Sequence, residues 1–236
     1  MDHDLAQDMA IETGAMVVSV DYRLAPEFNF PVPVKDCMAA LRWVRRRIHL
    51  FGGDPTRIAL VGESAGGNIA LATALYLGRW WWPFGKGSGR KQLCAVVAAS
   101  PPVSYRHAEV GKGDDDGEWR SYRRYWEGYA LKGPQMKGLW ELYLGHPRNG
   151  LHPMASPLRA SRSRLRRLPP VLLLRAEHEI LWDEVVEFGK KVAEVGVEVE
   201  EFQSQRCVHG MYAKPDHACG EVSLQATARF LKAYCS

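Results

Sequence analysis

Arg57-Ile58-Ala59-Leu60-Val61-Gly62-Glu63-Ser64-Ala65-Gly66-Gly67-Asn68-Ile69-Ala70-Leu71 is the stretch on which the reading of this chain turns. A short apolar run ends in a cluster of small residues, and an Ala- and Leu-rich segment follows. That pattern predicts a strand, a sharp turn and a helix. Gly62-x-Ser64-x-Gly66 sits in the turn with the spacing of a nucleophile elbow. The glycines belong there because a strand-to-helix turn this tight brings backbone against backbone, where a side chain would collide. A plain structural turn is the competing reading, and the strand before and helix after weigh against it. A phosphate loop is a weaker reading still: no Lys-Ser or Lys-Thr pair closes a P-loop, and no GxGxxG follows a strand.

Outward from the elbow the chain alternates strands and helices, the βαβ rhythm of an α/β fold. Residues 3–14 predict an amphipathic helix closed by Gly14. Residues 15–20 are almost wholly apolar and predict a strand buried on both faces of a parallel sheet. Asp21 to Glu27 leaves as a loop, kept irregular by Pro26, Pro31 and Pro33. A helix is expected over 34–50, its basic run Arg45-Arg46-Arg47 on a solvated face. The elbow helix runs to about residue 77. Further strands are expected at 93–99 and 171–174, and a half-exposed edge strand at 197–202, where polar and apolar residues alternate. Helices over 183–195 and 221–234 complete the layers.

The 236 residues suffice for one substantial core, and a single domain over 1–236 is expected. With 31 basic and 27 acidic residues the net charge is +4, too mild to demand a polyanionic partner. The arginines between Arg159 and Arg167 read as a solvated linker, and no nucleic-acid partner is expected. Cys37, Cys94, Cys207, Cys219 and Cys235 are odd in number and contain no CxxC. Neither a disulfide framework nor a zinc site is expected, and no metal or organic cofactor. The polar start Met1-Asp2-His3-Asp4 does not resemble a leader, and no apolar run is long enough to span a membrane, so a cytoplasmic setting is the default.

Two segments interrupt the βα rhythm. Trp80-Trp81-Trp82-Pro83-Phe84 reads as cover for a pocket mouth or as a peripheral membrane or partner contact. Residues 104–150 carry an acidic, glycine-containing loop and then Trp119, Tyr122, Tyr125, Trp126, Tyr129, Trp140 and Tyr143. A segment like this between strands of one sheet reads as a small helical cap over a site at the strands' C-terminal ends. A helical packing layer without a binding role is the plainer alternative.

Ser64 needs a base, and the base needs an acid. Among eight histidines, His209 follows the last strand in a short loop beside Gly210. His217, eight residues further on, is its main competitor. After the fourth strand come Glu177, Glu179, Asp183 and Glu184, of which Glu179 stands where a loop turns inward. Ser64, Glu179, His209 is the chain order of an α/β-hydrolase triad.

Val18-Ser19-Val20-Asp21-Tyr22-Arg23-Leu24-Ala25-Pro26-Glu27, Asp54-Pro55-Thr56-Arg57-Ile58, Gly62-Glu63-Ser64-Ala65-Gly66-Gly67-Asn68 and Ala155-Ser156-Pro157-Leu158, with the regions around Glu179 and Val208-His209-Gly210-Met211, resemble the hormone-sensitive-lipase-like branch of the α/β-hydrolases. The resemblance implies an α/β-hydrolase fold: a mostly parallel sheet flanked by helices. It implies a serine carboxylesterase acting on small to medium esters, with Ser64 as nucleophile, His209 as base, Glu179 where the family usually has aspartate, and the Ala65 N–H in the oxyanion hole. The family's His-Gly-Gly-Gly loop, which supplies the other oxyanion donors, has no counterpart here. Nor has the strand before it, which lies in the family between the strands expected at 15–20 and 58–61. The expectation is therefore an N-terminally truncated form. Its alternatives are a weakened or inactive hydrolase-like binding protein, and an amidase or formamidase on the same triad. The oligomeric state is left open.

Overall fold

The computed structural model describes residues 3–77, 93–105 and 120–235. Trp80 to Phe84, the acidic loop and Trp119 lie outside the described residues. Four strands form one parallel sheet in the order β1 (Ala59–Glu63), β2 (Ala95–Ala99), β3 (Val171–His178) and β4 (Val199–Val208). The expected strand at 171–174 is longer than its apolar run, and the edge strand extends to Val208 beside His209.

Alternation along these strands builds two cores. Val96, Ala98, Val171 and Leu173 face one way, into a cluster with Val34 and Leu41 of α2 (Val32–Arg47), Leu71 and Leu75 of α3 (Ala65–Tyr76), and Phe188 of α7 (Trp182–Ala193). Ala95, Val97, Ala99, Leu172 and Leu174 face the other way, against Leu5 and Met9 of α1 (His3–Thr13) and Leu224 and Phe230 of α8 (Ala218–Cys235). Each fully buried Leu or Phe stabilises the fold by about 1.5–3 kcal/mol. Every residue of α3 from Gly67 to Tyr76 is buried, which accounts for its sequence being apolar on all faces. Asp183 in the first turn of α7, and Lys190 and Lys191 in the last, complement its dipole.

The segment over 104–150 contributes α4 (Arg120–Arg124) and α5 (Gly133–Leu144). Tyr122, Tyr125, Trp140 and Leu144 pack into the α2–α3 core. Asn29 Nδ2 donates to the Leu142 carbonyl at 2.6 Å and the Phe30 N–H to that of Tyr143 at 2.7 Å, joining α5 to the loop after Tyr22. The short α6 (Arg162–Leu165) precedes β3. Arg162 there pairs with Glu194 at the surface.

Two expectations are corrected. Residues 15–20 form no strand. They border a cavity of about 1050 Å³ that is also lined by Ala59 to Gly62 of β1. The apolar run is the pattern of a central strand, but a strand needs ladder partners. Among the described residues none lies alongside it, so Met16 and Val18 are exposed and β1 is a sheet edge. The cysteines also depart from expectation. Cys94 bonds Cys235, and Cys207 bonds Cys219. Spacing rules read local motifs, whereas Cys94–Cys235 closes a separation of 141 residues and ties the end of α8 to the entry of β2. Cys37 is free, and burial, with Asp36 nearby, pushes its thiol up to about 12.

Glycine substitutions test this packing in both directions. A Cβ at Gly62 would lie 2.3 Å from the Gly66 carbonyl oxygen, whereas nothing lies within 4 Å of one at Gly138, inside α5. Gly62→Ala is expected to destabilise by about 1–3 kcal/mol, and Gly138→Ala to stabilise by about 0.4–1 kcal/mol. Urea unfolding of both variants checks the opposite signs.

Candidate active site

At the end of β1 the chain turns through Ser64, held at φ 51° and ψ −121°. A non-glycine residue keeps such a conformation only where its surroundings impose it. Here the Ser64 N–H donates to the Ala99 carbonyl at 2.8 Å, pinning the turn to the end of β2. Gly62 and Gly67 permit the close approach: a Cβ at Gly67 would stand 3.1 Å from both the Gly62 carbonyl oxygen and Pro101. The buried Asn68 then clamps the first turn of α3, donating through Nδ2 to the carbonyls of Pro102 (2.7 Å) and Ala155 (2.8 Å). This links the elbow to Ala155-Ser156-Pro157-Leu158.

The structure brings Ser64, Glu179 and His209 together. His209 Nε2 lies 2.9 Å from Ser64 Oγ, and Nδ1 lies 3.1 Å from Glu179 Oε2. With the proton on Nδ1 shared with the carboxylate, Nε2 is left as an acceptor for the serine hydroxyl, the arrangement that general-base catalysis needs. Glu179 is 1% exposed. Its other oxygen, Oε1, accepts from Ser100 Oγ at 2.9 Å and from the Ala176 N–H at 3.1 Å. A buried carboxylate held by two donors and one imidazole has a fixed orientation.

Sequence reasoning missed two supports. Ser100, at φ 44° directly after β2, donates its N–H to the Leu174 carbonyl and its hydroxyl to Glu179. Nothing in its sequence setting distinguishes it from a loop serine. Glu63, next to the nucleophile, accepts the Tyr212 N–H at 3.1 Å, anchoring the turn after His209 to the elbow. Burial pushes the Glu63 carboxyl up, opposed first by the charge of His209 and then by the backbone N–H groups of Tyr212 and Ala213.

The competitors have other tasks. His217 Nδ1 accepts the Cys219 N–H at the start of α8. Glu177 accepts the Arg206 N–H, and Asp183 that of Ser121. His178 stacks on Tyr129 at 5.5 Å. Ala65 is exposed at the first position of α3, where backbone N–H groups lack intrahelical partners and the helix dipole favours negative charge. Gly66 and Tyr22 line the large cavity beside it. Among the described residues no group of His, Cys, Asp and Glu is arranged to hold a metal ion, and no helix is long and apolar enough to cross a membrane.

Residues 1–213 match a family profile described as the α/β-hydrolase fold. An arylesterase of Saccharolobus solfataricus is 31% identical over 201 residues, 84% of this chain and 58% of that protein. Carboxylesterase NlhH of Mycobacterium tuberculosis is 32% identical over 210 residues, 88% of this chain and 60% of that protein. Among solved structures, EstE1, a thermostable carboxylesterase from a metagenomic library, is similar at a TM-score of 0.84 and 32% identity, over 99% of this chain and 74% of that one. The chain thus spans less than two thirds of the length of these curated relatives.

Glu184 gives the site region a pH signature. It is wholly buried, and burial pushes its carboxyl well above the usual range, partly offset by the N–H groups of Val103 and Ser104. Below the ordinary glutamate range the folded and unfolded states are both protonated, and nothing is lost. Above it the unfolded state releases a proton that the folded state retains, so this group's contribution becomes less favourable as pH rises. Glu184→Gln is therefore expected to match the parent near about pH 4 and to exceed it at higher pH, by about 1.4 kcal/mol per unit until the folded carboxyl itself ionises. Urea unfolding across that range checks it, and a constant difference would contradict it.

Proposed function

The chain belongs to the α/β-hydrolase family, in its hormone-sensitive-lipase-like carboxylesterase branch, and on that premise we propose that it is a serine carboxylesterase acting on small to medium esters. The observation that carries the reading is the imidazole of His209 bridging Ser64 Oγ and Glu179 at 2.9 and 3.1 Å. Ser64 Oγ attacks the ester carbonyl while His209 Nε2 takes its proton, and Glu179 holds the ring and stabilises the imidazolium. The oxyanion forms beside the α3 N-terminus, where the Ala65 N–H donates to it; one such donor contributes about 3–4 kcal/mol to transition-state stabilisation. The imidazolium protonates the departing alkoxide, leaving an acyl-enzyme. Water, deprotonated by the same nitrogen, attacks the acyl carbonyl, and the acid leaves as Ser64 Oγ regains its proton.

Glutamate in place of the family's usual aspartate suits this geometry. Ser100 Oγ and the Ala176 N–H hold Oε1, so the longer side chain presents Oε2 to His209. The 104–150 segment serves in this reading as a cap. Its support is the placement of Tyr125 and Tyr129 around His178, the residue before Glu179, and such walls favour apolar acyl or alcohol groups. The two disulfides favour an oxidising setting over the cytoplasmic one expected from the polar start and the lack of a membrane-spanning run.

Hydrolysis of p-nitrophenyl acetate and butyrate tests the proposal. Ser64→Ala is expected to abolish turnover, and Glu179→Gln to lower kcat by about 10⁴-fold by favouring the wrong imidazole tautomer, with circular dichroism unchanged in both. Turnover retained in folded Ser64→Ala would overturn the assignment.

A further inference from the structure

We propose that the Cys207–Cys219 disulfide is a positioning element for the base of the triad, so that its loss lowers kcat rather than stability alone. The inference rests on the hydrolase reading for the roles of Ser64 and His209. Four observations carry it.

First, the bond brackets the base. Cys207 is the next-to-last residue of β4 and Cys219 the second of α8, and between them lie His209, Gly210 at φ 87° and the turn Met211–Ala213. Second, the sheet does not fix this stretch by itself. Ala176 pairs with Ser204 and His178 with Val208, so two steps along β3 face four along β4. Arg206, inside this bulge, stands at φ 57° and gives its N–H to the Glu177 carboxylate. The ladder is therefore irregular over residues 205–207, Cys207 included, and pairing resumes only at Val208, one step before the base.

Third, the disulfide is buried, at 3% and 6% exposure, in a cluster with Ala176 and Met211. The Ala176 N–H holds Glu179 Oε1, so one packing unit touches both the anchor of the acid and the loop of the base. Cys207, Cys219, Ser100, Glu63 and Gly210 line one small cavity of about 20 Å³, so the bond, the brace of the acid and the loop of the base border the same space. Fourth, the far end of the loop is held by α8. A Cβ at Gly220 would lie 2.0 Å from the Lys214 carbonyl oxygen, so loop and helix are in backbone contact beside the bond. Opening the bond removes the covalent link between β4 and α8 nearest the base, leaving the Ser204–Ser223 hydroxyl contact further back along β4. A misplacement of His209 Nε2 from Ser64 Oγ by about an ångström carries a steep penalty in rate.

The test compares two disulfide removals in the full chain. Cys207→Ser/Cys219→Ser is expected to lower kcat for p-nitrophenyl butyrate by about tenfold or more, with KM within about twofold of the parent. It is also expected to broaden or abolish the downfield proton resonance of the His209–Glu179 hydrogen bond. Cys94→Ser/Cys235→Ser, remote from the triad, is expected to lower the melting temperature while kcat and the resonance stay as in the parent. A folded Cys207→Ser/Cys219→Ser variant with parental kcat and resonance would overturn the proposal. So would failure of both that variant and the volume-filling Cys207→Ala/Cys219→Val to fold, which would assign the bond to the fold as a whole. If the parent shows no turnover, the esterase reading fails, and the resonance comparison still decides the positioning claim.

Discussion

The Ser64 N–H donates to the carbonyl of Ala99, and the rest of the site depends on that bond. It ties the nucleophile to the neighbouring strand at the point where β1 stops and α3 begins, and so holds Ser64 at a φ that a serine does not adopt unaided. The sequence pattern around it follows from the same constraint. Gly62 and Gly67 remove the side chains that would block the turn, and Asn68 fastens the helix that leaves it.

The other members arrive from the C-terminal ends of β3 and β4, and β2 contributes Ser100 as a brace. In a parallel sheet these ends lie along one edge, which is how Ser64 and His209 meet across 145 residues of sequence. The acid is buried and multiply held, Ser64 and His209 are both half-buried, and Ala65 is exposed. The buried carboxylate of Glu179 therefore sits where hydrogen bonds fix it, and Ser64 lies next to the exposed start of α3.

Much of this was legible in the sequence because it depends on local chemistry. The elbow shows in its glycine spacing, and His209 in its place after the last strand beside a glycine. Glu179 was preferred to Glu177 and Asp183 for its distance from a strand expected to end at 174. The strand runs to His178, so Glu179 follows it directly, and the structure gives the other two to Arg206 and Ser121. What was not legible depends on partners distant in sequence. Residues 15–20 have the composition of a buried strand, yet a strand is defined by its neighbours, and none pairs with it among the described residues. Cys94 and Cys235 carry no local signal of their bond. Ser100 is one serine among small residues until the sheet places it against Glu179. Aromatic spacing in 104–150 predicted helices, but not that Tyr122 and Trp140 turn into the core while Tyr129 stays outside.

Reaction with a fluorophosphonate, followed by peptide mass spectrometry, tests the central claim most directly, because it reads the nucleophile and its base without presuming a substrate. The account predicts one adduct per chain, on Ser64, and its loss in a folded His209→Gln variant. Labelling at another residue, or undiminished labelling of Ser64 without the imidazole, would contradict it.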